Sequence, residues 1–249
     1  MKPFTLLFIF FVYLVPYAQE NNFVQNWHPK GNYDQIIKHQ FYKLAYSEDH
    51  EQAEWVLYLL SPNNFLDSIK RSNNFREDPQ VLTGSSQLKD YKKSGYDRGH
   101  LAPAADMKYS NLGMKESFYM SNMSPQQPKF NRGIWKKIEL QFRKWAATYQ
   151  ELIVITGGVL NRAIIDTIGI NNVAVPGYYY KVAIDPSNYN RNIAFLIKNC
   201  SSKAPLISHV VSIDSLEKFS EINFFHHLED EIEQEIESQI NYNLWKWSE

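Results

Sequence analysis

Cysteine is nearly missing from this chain: Cys200 is the only one in 249 residues. No disulfide can form within the chain, so stability has to come from an apolar core and from any bound metal. One Cys and seven scattered His also give no recognisable ligand spacing for a structural zinc site. Cys200 reads as a buried or strand-end residue rather than a nucleophile. Net charge is missing too. The formal value is −1, so overall charge advertises no polyanion partner. There is no internal repeat and no low-complexity linker, and the length suits one domain or at most two small ones. Beyond the first 18 residues there is no apolar run long enough to cross a bilayer.

What is present is more telling. Apolar residues make up 44% of the chain and aromatics 15%, enough for a sizeable core and leaning toward a fold that contains sheet. Charge is unevenly spread. Residues 64–145 hold 15 Lys/Arg against 8 Asp/Glu, whereas residues 213–249 hold 2 against 10. The middle of the chain can present a positive face, or the charges can simply be scattered. At the start, Lys2, the apolar run Leu6–Val15 and the small residue Ala18 read as a signal peptide over residues 1–18. An uncleaved anchor is the alternative, and the run is short for it, since a span needs about 20 apolar residues. Export places the protein outside the cytoplasm, secreted or periplasmic. Residues 19–49 read as a polar N-terminal extension with a short helix near Asp34–Gln40, and 50–249 as the main domain.

Within that domain, 53–60 (AEWVLYLL), 95–101, 152–156 (LIVIT), 178–184 and 193–197 read as strands. Residues 61–87 and 121–128 read as loops. Residues 133–149 read as a helix, because Ile134, Ile138, Phe142 and Trp145 recur at spacings of 4, 4 and 3. Segments 216–225 and 229–241 read as C-terminal helices. Strands and helices mix without regular βα alternation, which favours an α+β fold.

Two clusters can carry chemistry. The first is 96–103, YDRGHLAP. On an extended strand, Arg98 and His100 point the same way. Arg98 can hold a phosphate while a neutral His100 takes a proton from water, its ordinary pKa lying near neutrality. A histidine in a strand is also often only structural. Gly99 between them permits a close approach by backbone or substrate. The second cluster is 121–126 (SNMSPQ) followed by 130–135 (FNRGIW) and Glu139. Asn131 can cap the following helix or offer its carbonyl oxygen to a hard cation. Glu139 and Arg143, four apart, can form a surface pair or face a common site.

Together these segments resemble the DNA/RNA non-specific endonucleases, whose DRGH motif matches 97–100. The likeness continues through SNMSPQ, FNRGIW, Glu139, VITGG at 154–158, VPGYYYK at 175–181 and SIDSLEKFSEINFF at 212–225. It covers roughly residues 50–228. The resemblance implies a ββα-metal (His-Me finger) core inside a single mixed sheet-and-helix domain. It implies His100 as general base and Asn131 as ligand of Mg²⁺, with Mn²⁺ as a substitute. Supporting roles fall on Asn122, Glu139, Arg98 and Arg143, with Arg98 and Arg143 on phosphate, while Asp97 and Gly99 shape the motif. The implied activity is hydrolysis of DNA and RNA with little sequence preference, leaving 5′-phosphate ends. A homodimer is a further implication. Family members also carry a phosphate-contacting Arg upstream, just before an aromatic residue. Here the aromatic is Phe75, preceded by Asn73 and Asn74, so Arg71 and Arg76 both remain candidates.

Two other readings compete. One is a family member that binds nucleic acid without cutting it. The other is a metal-free ribonuclease using His226-His227, although neighbouring side chains diverge on a helix or strand and both fit a packing segment.

Overall fold

The computed structural model describes residues 26–65 and 69–247. The leader expected over residues 1–18 lies outside them. Eleven strands are present among the described residues: β1 (Gln35–Lys38), β2 (Lys43–Ser47), β3 (Gln52–Leu60), β4 (Asp97–His100), β5 (Met123–Gln126), β6 (Leu152–Gly158), β7 (Ile164–Ile168), β8 (Val173–Pro176), β9 (Tyr178–Asp185), β10 (Asn188–Lys198) and β11 (Val210–Val211). Seven of them form an antiparallel sheet in the order β1-β2-β3-β6-β9-β10-β11, and β4-β5 and β7-β8 form two small hairpins. Helices and strands are interspersed without regular βα alternation and every paired strand is antiparallel, so the fold is α+β, as expected.

Both faces of the large sheet are covered, which explains why β3 and β6 read as continuous apolar runs. On one face the long helix Lys136–Tyr149 lays Ile138, Phe142 and Trp145 over Tyr46, Val56, Tyr58, Val154, Tyr179 and Phe195. On the other, Ile213, Leu216, Phe224, Phe225 and Ile236 cover Trp55, Leu57, Ile155, Tyr180 and Val182. Alternate residues of each strand thus enter opposite cores, as the two-residue period of a strand requires.

Four local expectations are corrected. The segment near Asp34–Gln40 is not helical: Ile36 and Ile37 favour an extended chain, and β1 pairs with β2 in full register. Residues 35–47, within the stretch read as an extension, therefore already belong to the sheet. Residues 123–126 are a strand rather than loop. Pro125 is tolerated there because it sits opposite Arg98 in a two-stranded ribbon. The helix expected from Gly133 begins as one turn at Pro128–Phe130, widens into a π-turn at Asn131–Trp135, and continues as the long helix. The helix expected over 216–225 is Ile213–Ser220, stopped at Glu221 by a left-handed φ of 61°. The β7–β8 hairpin was not anticipated.

The β4–β5 hairpin is fastened to the sheet by side chains. Ser124 Oγ lies 2.5 Å from Gln52 Oε1 and 2.6 Å from the Tyr179 hydroxyl, which donates to the Pro125 carbonyl at 2.8 Å. Asn199 adds a bond to the same carbonyl and accepts one from the Gln127 amide.

Candidate active site

His100 ends β4 and is 8% exposed. Its ring packs edge-on against Phe118, with centroids 4.9 Å apart, and lies 5.7 Å from Phe75. Its Nε2 has no hydrogen-bond partner. Two guanidinium groups lie over those rings: Arg98 is 4.3 Å from the Phe75 centroid and Arg71 is 5.0 Å from that of Phe118. Burial, then the charges of Arg71 and Arg98, push the imidazole down from its ordinary 6.5 to about 3. His100 is therefore a neutral imidazole with an unpartnered nitrogen, enclosed by two rings that each carry a guanidinium.

Gly99 is required by packing. A Cβ there would meet the Gln126 side chain at 2.2 Å. The close approach expected at this position is made by Gln126 from β5.

Asn131 is not the N-cap of the long helix, a position held by Trp135. It lies within the turn that runs into the long helix, and its Nδ2 donates to Asp97 Oδ2 at 2.9 Å. Arg132 holds the same carboxylate through Nε at 2.9 Å and a terminal nitrogen at 2.6 Å. With the amide nitrogen committed to Asp97, the carbonyl oxygen is what Asn131 has left for a cation. Asn131, Asp97, Arg98, Phe75, Tyr91 and Tyr96 line one cleft. Phe75 borders both this cleft and His100.

Asn122 is fully buried, and its amide is wholly engaged with backbone. It accepts from Ala102 N at 2.9 Å and donates to Ala102 O at 3.0 Å and Ser117 O at 2.9 Å. It fixes the chain as it leaves His100, and nothing of its side chain remains to touch substrate.

Glu139 and Arg143 do not form a surface pair. Arg143 donates to the buried Asp106 at 2.5 Å, and Tyr58 donates to the other oxygen of Asp106 at 3.1 Å. Desolvation raises Glu139 to about 7, against the opposing charge of Lys181. Arg71 reaches both Glu139 and His100 electrostatically. Arg76 is tied to the carbonyls of Asn74 and Lys115 and stacks on Tyr119. Of the two upstream candidates, Arg71 is the one beside the base.

The sequence reading missed Phe118, Asp106 and Lys181 as parts of this neighbourhood. Asp106 lies six residues after His100, and an acid so near a basic motif was its one visible signal. The adjacent pair His226-His227 is remote in role. His226 packs edge-on to His28, and His227 packs on Trp27 with centroids 4.2 Å apart.

Oxygen donors with partial negative charge suit a hard divalent cation. The carbonyl of Asn131 and the carboxylate of Glu139 fit that requirement, and no soft ligand is present among the residues named.

The family model of the DNA/RNA non-specific endonucleases matches residues 19–231. Mitochondrial Nuclease EXOG of Danio rerio is 34% identical over 199 residues, covering 73% of this chain and 58% of its own. Nuclease C1 of Cunninghamella echinulata is 32% identical, covering 80% and 86%. Human mitochondrial endonuclease G is 33% identical, covering 76% and 69%. A crystal structure of an EndoG/EndoGI complex superposes with a TM-score of 0.79 at 27% identity, over 91% of this chain and 97% of that one. The chain spans little more than half of the zebrafish protein but most of the fungal one. The family match over residues 19–231, with relatives 32–34% identical over about three quarters of the chain, makes this chain a member of the DNA/RNA non-specific endonuclease family.

Proposed function

We propose that this protein hydrolyses phosphodiester bonds in DNA and RNA with little regard to sequence. The observation that carries the proposal is the neutral His100, its Nε2 free, beside two guanidinium groups and the Asn131 cleft.

A phosphate entering this cleft meets Arg98, and Arg71 adds its charge from over the Phe118 ring. Its negative charge offsets theirs, which raises the basicity of His100 when substrate is bound. His100 Nε2 then accepts a proton from water, and the oxygen of that water bonds to phosphorus as the bond to the 3′ oxygen breaks; the departing 3′ oxygen takes a proton from solvent water. The products carry 5′-phosphate and 3′-hydroxyl ends. A divalent cation, Mg²⁺ in this reading with Mn²⁺ as substitute, would be held by Asn131 with Glu139 steadying its water, and supplies positive charge to the phosphate oxygens. Asp97 orients the Asn131 amide. Asn122 fixes the backbone after His100. Arg143 stays anchored on Asp106 and turns its remaining N–H groups to phosphate. Water, not a sugar 2′-hydroxyl, is the nucleophile, so one site serves both nucleic acids. Contacts to phosphate carry no base information.

The same reading includes export of the chain after removal of residues 1–18 and a homodimer in solution. N-terminal sequencing of protein recovered outside the cytoplasm tests the first, and sedimentation tests the second. The activity is tested with supercoiled plasmid and with RNA, with and without Mg²⁺, using wild type and His100→Ala. Wild type should cut both. His100→Ala should bind both and cut about 10²–10⁴-fold more slowly. Near-normal turnover by His100→Ala would remove His100 from the reaction.

A further inference from the structure

Lys181 sits on β9, between β6 and β10 in the large sheet. It is 0% exposed, and its ammonium has no hydrogen-bond partner. Its Nζ lies 5.2 Å from the Trp135 ring, 5.6 Å from Tyr58 and 5.8 Å from Phe142. Ring faces attract a cation, but too weakly to replace lost hydration. A buried ammonium therefore needs an opposite charge close by. Asp106 and Glu139 are the two acids that act on it. Asp106 is already matched by Arg143 and the Tyr58 hydroxyl. Glu139 is left as the carboxylate that Lys181 answers, by charge at longer range, since no ion pair joins the two among the described residues.

Spacing along the long helix says the same. Trp135 precedes Glu139 by four residues and Phe142 follows it by three, so all three share one stripe. Lys181 Nζ lies against the rings at both ends of that stripe. This puts it behind the carboxylate between them.

We propose that Lys181 is a positioning residue for phosphodiester cleavage: from inside the core it holds the Glu139 carboxylate in place behind the cation site. This rests on the reading of Glu139 as the residue that steadies the water of the cation. Lys181 itself touches neither substrate nor cation. It acts through Glu139, and a neutral side chain of the same length leaves the carboxylate without its anchor.

The test uses the full chain as wild type, Lys181→Met, Lys181→Arg, Glu139→Gln and the double variant Lys181→Met/Glu139→Gln. Plasmid cleavage gives kcat, KM and the Mg²⁺ concentration for half-maximal rate, and circular dichroism reports folding. Lys181→Met should lower kcat at least tenfold and raise the Mg²⁺ requirement severalfold, with KM for DNA changed less than twofold. Lys181→Arg should keep most of kcat. Beside Glu139→Gln, Lys181→Met should cost nothing further. If Lys181→Met unfolds alone but folds beside Glu139→Gln, the pairing is likewise upheld, because the orphaned acid has gone. Unfolding in both backgrounds, or an equal further loss of kcat beside Glu139→Gln, reduces Lys181 to a packing residue and overturns the proposal. Full activity of Lys181→Met beside an inactive Glu139→Gln rejects the role of Lys181 alone. Full activity of Glu139→Gln rejects the underlying reading of Glu139 instead.

Discussion

Acid should unfold this protein partly through its own base. His100 is neutral and unpartnered in the folded chain, with its pKa lowered from 6.5 to about 3. In the unfolded chain the ordinary value returns. Between those two values the unfolded chain binds a proton that the folded chain refuses, so stability falls as pH drops. At pH 7.5 both forms are neutral and the effect is nearly nil. At pH 5 it is about 2 kcal/mol, and below pH 3 it reaches a ceiling of about 5 kcal/mol. The perturbation is His100→Gln, which keeps a polar side chain of moderate size and does not titrate. Urea unfolding at pH 7.5 and pH 5, extrapolated to water, gives the change in stability for each protein. Other shifted groups, such as His227 lowered to about 4 and Glu237 raised to about 8, are common to both and cancel. The stability loss of wild type between the two pH values should exceed that of the variant by about 2 kcal/mol. Equal losses would mean that the imidazole takes up its proton in the folded state, and the picture of a caged neutral base would be wrong.

Asn122→Ala should leave Ala102 N, Ala102 O and Ser117 O without their side-chain partner. The expected loss is about 3 kcal/mol, or about 6–12 °C in Tm for a domain of this size, and a calorimetric scan showing no change would contradict it. Gly99→Ala should force Gln126 aside and disturb the strand before His100. Activity should drop with it, and pairing it with Gln126→Ala should recover part of the loss. Asp97→Ala frees the Asn131 amide to rotate, so half-maximal cleavage should need more Mg²⁺, whereas an unchanged metal titration would show that Asp97 does not orient Asn131. Thorough treatment with EDTA should abolish cleavage and added Mg²⁺ should restore it; activity that survives chelation would remove the cation from the site.

The long helix and strands β3, β6, β9 and β10 were readable because their signals are local. The 4-4-3 spacing of Ile134 to Trp145 fixes a helical face, and unbroken apolar runs mark strands buried on both sides. The motif residues were readable through family resemblance rather than through physics alone. What escaped was set by distant partners. Nothing near residue 35 announces pairing with residues 43–47, and Pro125 argued against a strand until its place in a two-stranded ribbon was seen. The role of Asn122 depends on Ala102 and Ser117, and that of Arg143 on Asp106, 37 residues away. Lys181 looked like any residue of an aromatic-rich strand, because the rings and acids around it come from other parts of the chain.

The ribbon that bears His100 has only four residues in each strand, too few to persist by backbone pairing alone. Its rigidity is borrowed from Gln52, Tyr179 and Asn199, all at or beside the large sheet. Deuterium exchange at the amides of 97–100 should therefore be about as slow as in β9, and any opening that exposes the catalytic strand has to loosen the sheet beneath it.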